Sequence, residues 1–239
     1  MKILVLGDIH GKTHWKNVIE KEQPDLTIFL GDYVSSHEYI DAATQITNLE
    51  AIMQYKEENK DSVILLRGNH DMQHCGYYWA KCSGLYPPVA QYLSKHRDRF
   101  LSLTQWIYIK DNIIFSHAGI STEWMKWYDI KSVNEINALE PSEIFGFTPC
   151  KLSDYNGISA TQPCTWIRPQ TLMECALEDY IHVVGHSTVE KIVEVSNLIK
   201  EKYPEYKCKA PIWLCDNFPS QYLVINDNEF IVMDYDEAI

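Results

Sequence analysis

Apolar residues in this chain gather in short runs that break off at a glycine or a polar residue, with longer mixed segments between them. The spacing predicts a strand at Ile3–Leu6, a helix over Thr13–Lys21, a strand at Leu26–Leu30, a long polar-rich helix from about Glu38 to Asn59, and a strand at Val63–Leu66. A βαβαβ alternation of this kind predicts a parallel sheet. Gly7, Gly11, Gly31 and Gly68 fall at the turns, and Pro24 and Asp25 mark the loop before the second strand. From Phe100 to Phe115 the pattern alternates around Lys110-Asp111-Asn112, which predicts an antiparallel hairpin. The runs Pro211–Cys215, Gln221–Ile225 and Glu229–Tyr235, the last two joined by Asn226-Asp227-Asn228, predict a second, largely antiparallel sheet packed on the first. Gln73–Arg99 and Ser121–Tyr180 fit neither sheet. They are expected as caps over one α/β domain spanning 1–239, with helices near Thr122–Tyr128 and Leu172–Glu178 in the longer one.

The polar residues that end the apolar runs are of one chemical kind. Asp8 and His10 follow the first run, Asp32 the second, Asn69 the third, His117 the run Ile113–Ser116, and His186 the run ending at Gly185. Residues just past the carboxyl ends of sheet strands converge on one crevice, where such folds bind ligands. Asp8 and His10 are two apart, so an extended backbone sends both side chains to one face, where they can chelate one ion. Asp32 can bridge to a second ion, because a carboxylate reaches both members of a pair about 3.5–4 Å apart. Asn69, His117 and His186 would complete that second ion. Imidazole, carboxylate and amide donors without thiolate suit Mn²⁺, Fe, Zn²⁺, Co²⁺ or Ni²⁺, with Mn²⁺ favoured here.

Composition narrows the partners. At 239 residues the chain can bury a sizeable core with 46% hydrophobic residues, and its net charge of −12 argues against sequence-independent nucleic-acid binding. Seven cysteines, an odd number with no C-x-x-C pair, fit a reducing compartment. Met1 and Lys2 lead straight into the run Ile3–Gly7, too short for a signal-peptide core, and no segment reaches 18 apolar residues. The expected location is the cytoplasm, away from membranes.

Five strings together carry a family resemblance: Gly-Asp-Ile-His-Gly (Gly7 to Gly11), Gly-Asp-Tyr-Val (Gly31 to Val34), Leu-Arg-Gly-Asn-His-Asp (Leu66 to Asp71), Ser-His-Ala-Gly (Ser116 to Gly119) and Val-Gly-His-Ser (Val184 to Ser187). In this order they resemble the signature of the calcineurin-like metallophosphoesterases, nearest to the phosphoprotein phosphatase branch and its bacterial and phage-type members, over about residues 1–235. The resemblance implies a two-sheet β-sandwich flanked by helices. It implies one ion on Asp8, His10 and Asp32, a second on Asp32, Asn69, His117 and His186, and a metal-bridging hydroxide as nucleophile. It also gives His70 the role of general acid, with Asp71 orienting its imidazole. That role makes chemical sense, since an alkoxide leaving group at neutral pH needs a proton donor that cations do not supply. Arg168, in Thr-Trp-Ile-Arg-Pro, resembles a phosphate-contacting arginine, and Arg67 is a second candidate for phosphate contact.

Two departures matter. Phosphoprotein phosphatases continue the second motif as Asp-Arg-Gly, whereas here it continues Ser35-Ser36-His37. Thr188 stands where many relatives carry the second histidine of Gly-His-x-His, which leaves three protein ligands for the first ion. Tyr77, Tyr78, Trp79, Tyr86, Trp124, Trp127 and Tyr128 are expected mainly as core of the inserts, and His37 and His74 as residues near the cleft. The expected substrate is a phosphate monoester, small molecule or phosphoprotein. A nucleotidase, dinucleoside-polyphosphate hydrolase or phosphodiesterase is the alternative, and a non-catalytic scaffold the remote one.

Overall fold

The computed structural model describes residues 1–36, 38–147, 159–196 and 208–235. In chain order the elements are β1 (Lys2–Leu6), α1 (Trp15–Glu22), β2 (Leu26–Phe29), α2 (Ala42–Glu58), β3 (Val63–Leu66), α3 (Asn69–His74), α4 (Pro87–Lys95), α5 (Arg97–Leu103), β4 (Thr104–Gln105), β5 (Ile107–Lys110), β6 (Ile113–Ser116), α6 (Thr122–Trp127), α7 (Pro169–Cys175), β7 (Ile181–Thr188), β8 (Val193–Glu194), β9 (Ile212–Asp216), β10 (Gln221–Asn226) and β11 (Glu229–Asp234). They form two mixed sheets, ordered β11-β10-β1-β2-β3-β4 and β5-β6-β7-β9-β8. This is the expected α/β sandwich of two sheets flanked by helices.

The alternation of side chains along a strand explains why β1 is apolar throughout. Ile3 and Val5 pack between the sheets with Phe115, Val183 and Cys215. Leu4 and Leu6 pack on the opposite face with Val18 of α1, Leu49 and Ile52 of α2, and Phe100 of α5. Both faces are dry, and truncating one such side chain to alanine costs about 2–5 kcal/mol. The helix α2 starts where Asp41 accepts from the Thr44 N–H at 3.0 Å, satisfying a donor that the first turn leaves open.

Three expectations change. The C-terminal hairpin β10–β11 does not build the second sheet; β10 pairs antiparallel with β1 and extends the first. The second sheet has a parallel centre, β6-β7-β9. The alternating run from Phe100 is helical up to Leu103, and only Ile107–Lys110 with Ile113–Ser116 makes the hairpin. The Thr104 hydroxyl donates to the Phe100 carbonyl at 2.9 Å and closes the end of α5. The insert 73–99 serves two places: Val89 and Leu93 of α4 belong to the core over the first sheet, while Lys81, Cys82 and Ser83 stand at a cavity. Of the insert 121–180, residues 148–158 lie outside the described residues. Trp124, Ile136 and Phe145 cover one part of the second sheet's outer face, and Ile167 and Leu172 another.

Candidate active site

The loops after β1, β2, β3 and β6 and the body of β7 meet at the seam between the sheets. The His10 N–H donates to the Asp32 carbonyl at 2.8 Å, and the Gly185 N–H to the His117 carbonyl at 2.8 Å, so neighbouring loops hold one another. His10, Asp32 and His186 have left-handed backbones, φ 46°, 51° and 61°. Such backbones cost about 1–3 kcal/mol each and persist where the surroundings impose them. Gly185 is required by closeness: a Cβ there would stand 2.1 Å from Asp8 Oδ1.

All six expected ligands are brought together. Donor atoms of Asp8, His10 and Asp32 lie within 4.8 Å of one another, all three buried. Asn69 Oδ1 lies 2.9 Å from His117 Nε2 and 3.1 Å from His186 Nδ1, and Asp32 Oδ2 lies 3.5 Å from His117 Nε2. Backbone carbonyls set the imidazole tautomers. His117 Nδ1 faces Leu30 O at 2.9 Å and His10 Nδ1 faces Val34 O at 3.0 Å, so these nitrogens carry the protons and each Nε2 offers a lone pair.

At His117 and Asn69 a lone pair therefore faces a lone pair, an arrangement that fits a divalent cation between them. The charges agree. Burial, then Asp216 and Asp32, push the Asp8 carboxyl well above its usual range, a penalty that a nearby cation relieves. Burial raises the Asp32 carboxyl as well, and the opposing pull of His117, His70, His10 and His186 acts only while they are protonated, so with neutral imidazoles a cation must take that role. Burial, with His117 and Arg168, keeps His186 neutral far below the ordinary histidine value.

A cavity of about 440 Å³ opens over these residues. His70 and Arg168 line it; Arg67 and Asp71 do not. Burial pushes the His70 imidazole down to about 4, with Asp32 opposing. Arg168 Nη1 donates to His186 O at 3.0 Å and to Ser187 Oγ at 3.1 Å, which fixes its fork at the wall.

Two assignments are corrected. Arg67 is buried, stacks over Trp106 at 4.6 Å, and donates to Thr104 Oγ1, Thr104 O and Leu101 O, so it braces β4 instead of meeting phosphate. Asp71 does not orient His70 as expected. Its Oδ2 accepts from the N–H groups of Asp32 and Gly68 at 2.8 and 2.9 Å, and its Oδ1 from that of Tyr33 at 2.8 Å. It ties the β2 loop to the β3 loop.

Sequence reasoning passed over several lining residues: Asp216, Thr188 as Asp216's partner at 2.8 Å, Trp166, Phe147 and the stretch Lys81–Ser83. Asp216 ends the apolar run Ile212–Cys215 just as the other ligand-type residues end theirs, so the same signal marks it. Nothing local marks Lys81. Of the seven aromatic residues expected mainly as insert core, from Tyr77 to Tyr128, Trp124 is buried while Tyr78 and Trp127 are exposed, and none of the seven lines the cavity. His37 lies outside the described residues, and His74 is buried behind the site.

A model of the calcineurin-like phosphoesterase family matches residues 1–206. Among solved structures, the fold is similar to a cold-active protein-tyrosine phosphatase of a psychrophilic Shewanella species, with TM-score 0.65 and 18% identity over 98% of this chain and 78% of that one. It is also similar to a protein serine/threonine phosphatase from Saccharomyces cerevisiae, with TM-score 0.57 and 13% identity over 99% of this chain and 80% of that one. The strand-end donors, the cavity above them and the family match lead to one conclusion: the chain belongs to the calcineurin-like phosphoesterases, hydrolases that use divalent metal ions on phosphate esters.

Proposed function

We propose that this phosphoesterase hydrolyses phosphate monoesters with two divalent cations, Mn²⁺ by preference, held by Asp8, His10, Asp32, Asn69, His117 and His186. The observation that carries this reading is the pairing, in one cavity, of buried cation donors on the floor with Arg168 on the wall. When bound, the cations lower the pKa of water and neutralise phosphoryl charge.

The chain's own residues do the rest. Arg168, anchored at Nη1, presents a fork to the phosphoryl oxygens. His70 is neutral in the resting site, and a dianionic substrate brings the negative charge that raises its proton affinity. It then holds a proton for the departing ester oxygen. Trp166 and Phe147, whose rings meet edge to face at 5.2 Å, keep one side of the cavity dry.

Phosphorylated peptide is one substrate class in view, since both phosphatase relatives named above act on proteins. Nucleotides or dinucleoside polyphosphates are the second reading, favoured by Trp166 and Phe147 as a surface for a base. Phosphate release from nucleotides against phosphopeptides separates them. The cytoplasmic reading is supported by the odd number of cysteines, seven, with no C-x-x-C pair; among the described residues no helix is long and apolar enough to cross a membrane.

The test is turnover of p-nitrophenyl phosphate beside bis-p-nitrophenyl phosphate, with Mn²⁺ or with EDTA. Mn²⁺-dependent turnover dominated by the monoester is expected. Dominant diester turnover, or activity that survives EDTA, overturns the proposal.

A further inference from the structure

The stretch between the 3₁₀ turn Tyr78–Ala80 and α4 follows none of the strand-end logic, yet Lys81, Cys82 and Ser83 line the cavity. It is fastened there. Gln73 brackets it, accepting from the Cys82 N–H at 2.6 Å and donating to Ser83 O at 3.3 Å. Ser35 Oγ donates to Gly84 O at 2.7 Å. His74 donates from Nδ1 to His70 O at 2.7 Å and accepts at Nε2 from the Tyr86 N–H at 3.1 Å. These anchors start from α3 or from the segment just after Asp32, the parts of the chain that carry Asn69, His70 and Asp32. A wall tied so directly to the floor is positioned with the same precision as the floor.

Its place relative to the chemistry is specific. A Cβ at Gly84 would lie 3.5 Å from His70 Cε1 and 3.7 Å from His70 Nδ1. The stretch therefore passes beside the imidazole that, on the phosphomonoesterase reading, faces the departing oxygen. Arg168 belongs to the other wall, bonded to His186 and Ser187. Among the described residues, Lys81 and Arg168 are the lysine and arginine side chains that line the cavity. On that reading, Arg168 stands on the phosphoryl side and Lys81 on the leaving-group side.

We infer that Lys81 determines specificity by binding an anionic group on the leaving-group part of the substrate. The preferred substrates are phosphate monoesters whose alcohol carries a carboxylate or a second phosphate within a few bonds of the ester oxygen. This rests on the phosphomonoesterase reading above. Lys81 is exposed at the rim, and a compact ammonium on a flexible stem suits an anion whose distance from the ester varies. The surrounding charge gives it something to do: a chain of net charge −12 repels polyanions at long range. A local cation must offset that for such substrates to dwell.

The experiment compares Mn²⁺-loaded wild type, Lys81→Ala and Lys81→Arg by calorimetry, with methylphosphonate and phosphonoacetate as phosphoryl mimics without and with a neighbouring carboxylate. Wild type is expected to prefer phosphonoacetate about tenfold, the effect of one charge-assisted contact. Lys81→Ala should lose that preference and Lys81→Arg should keep most of it. A wild type without preference, an alanine variant that retains it, or equal weakening toward both ligands overturns the inference. Chelation of Mn²⁺ by phosphonoacetate affects the three proteins alike, so their differences decide. Wild-type turnover of p-nitrophenyl phosphate, run alongside, reports separately on the monoesterase reading; its failure leaves the binding comparison intact.

Discussion

His117 Nε2 faces Asn69 Oδ1 across 2.9 Å, both as acceptors, because the His117 proton sits on Nδ1 against the Leu30 carbonyl. Two lone pairs at that distance repel unless a cation lies between them. Asn69→Ala should therefore lower Mn²⁺ bound at saturation from about two ions per chain to about one, as measured by equilibrium dialysis with elemental analysis. An unchanged stoichiometry would remove Asn69 from the second ion.

His70 lines the cavity without belonging to the cluster of close donor atoms. His70→Asn is expected to slow p-nitrophenyl phosphate turnover by about 10²–10⁴-fold, the range of a lost general acid. Metal content should stay near wild type. A variant that lost its metal along with its activity would mark His70 as part of the ion site.

The carboxylate of Asp71 accepts three backbone N–H groups, shared between both of its oxygens. An asparagine there turns its NH₂ against at least one of them, whichever way the amide lies. Asp71→Asn should cost about 3 kcal/mol or more, a fall in Tm of about 6–12 °C for a chain of this size. Unchanged melting with impaired turnover would restore the role of orienting His70.

His182 is fully buried, far along β7 from the ligand cluster, and burial holds its imidazole at about 4. The unfolded chain takes up a proton at this residue below about pH 6.5, the folded chain only near 4, so folding is disfavoured as pH falls through that window. Between pH 7.5 and pH 5 this single group should remove about 2 kcal/mol. Urea melts at the two pH values measure it, and His182→Gln should flatten the difference. An equal pH dependence in both proteins would refute the assignment.

The pattern of the sequence reached the floor of the site because short buried strands force their next polar residues into one crevice, and Asp8, Asp32, Asn69 and His117 obey that constraint. It did not reach sheet membership. Alternation in Gln221–Asn226 says that one face is buried, but not that β1 is the neighbour. Adjacency misled at Asp71, where consecutive helical residues point about 100° apart and do not face each other. Arg67 looked like a phosphate ligand because cations near such a motif often are. Its fate was decided by Trp106 and Thr104, residues remote in sequence whose approach depends on how β4 docks beside β3. The wall at Lys81 depends likewise on tertiary anchors, Gln73 and Ser35, that carry no local signature.

The two halves of the donor set differ in origin. Asp8, His10 and Asp32 follow neighbouring strands of one sheet, whereas His117 and His186 arrive with the other. A cation on the first three needs only β1 and β2 in register, while a second needs the sandwich closed. On the proposed ion assignment, the first ion would report only that β1 and β2 are in register, and the second that both layers have docked.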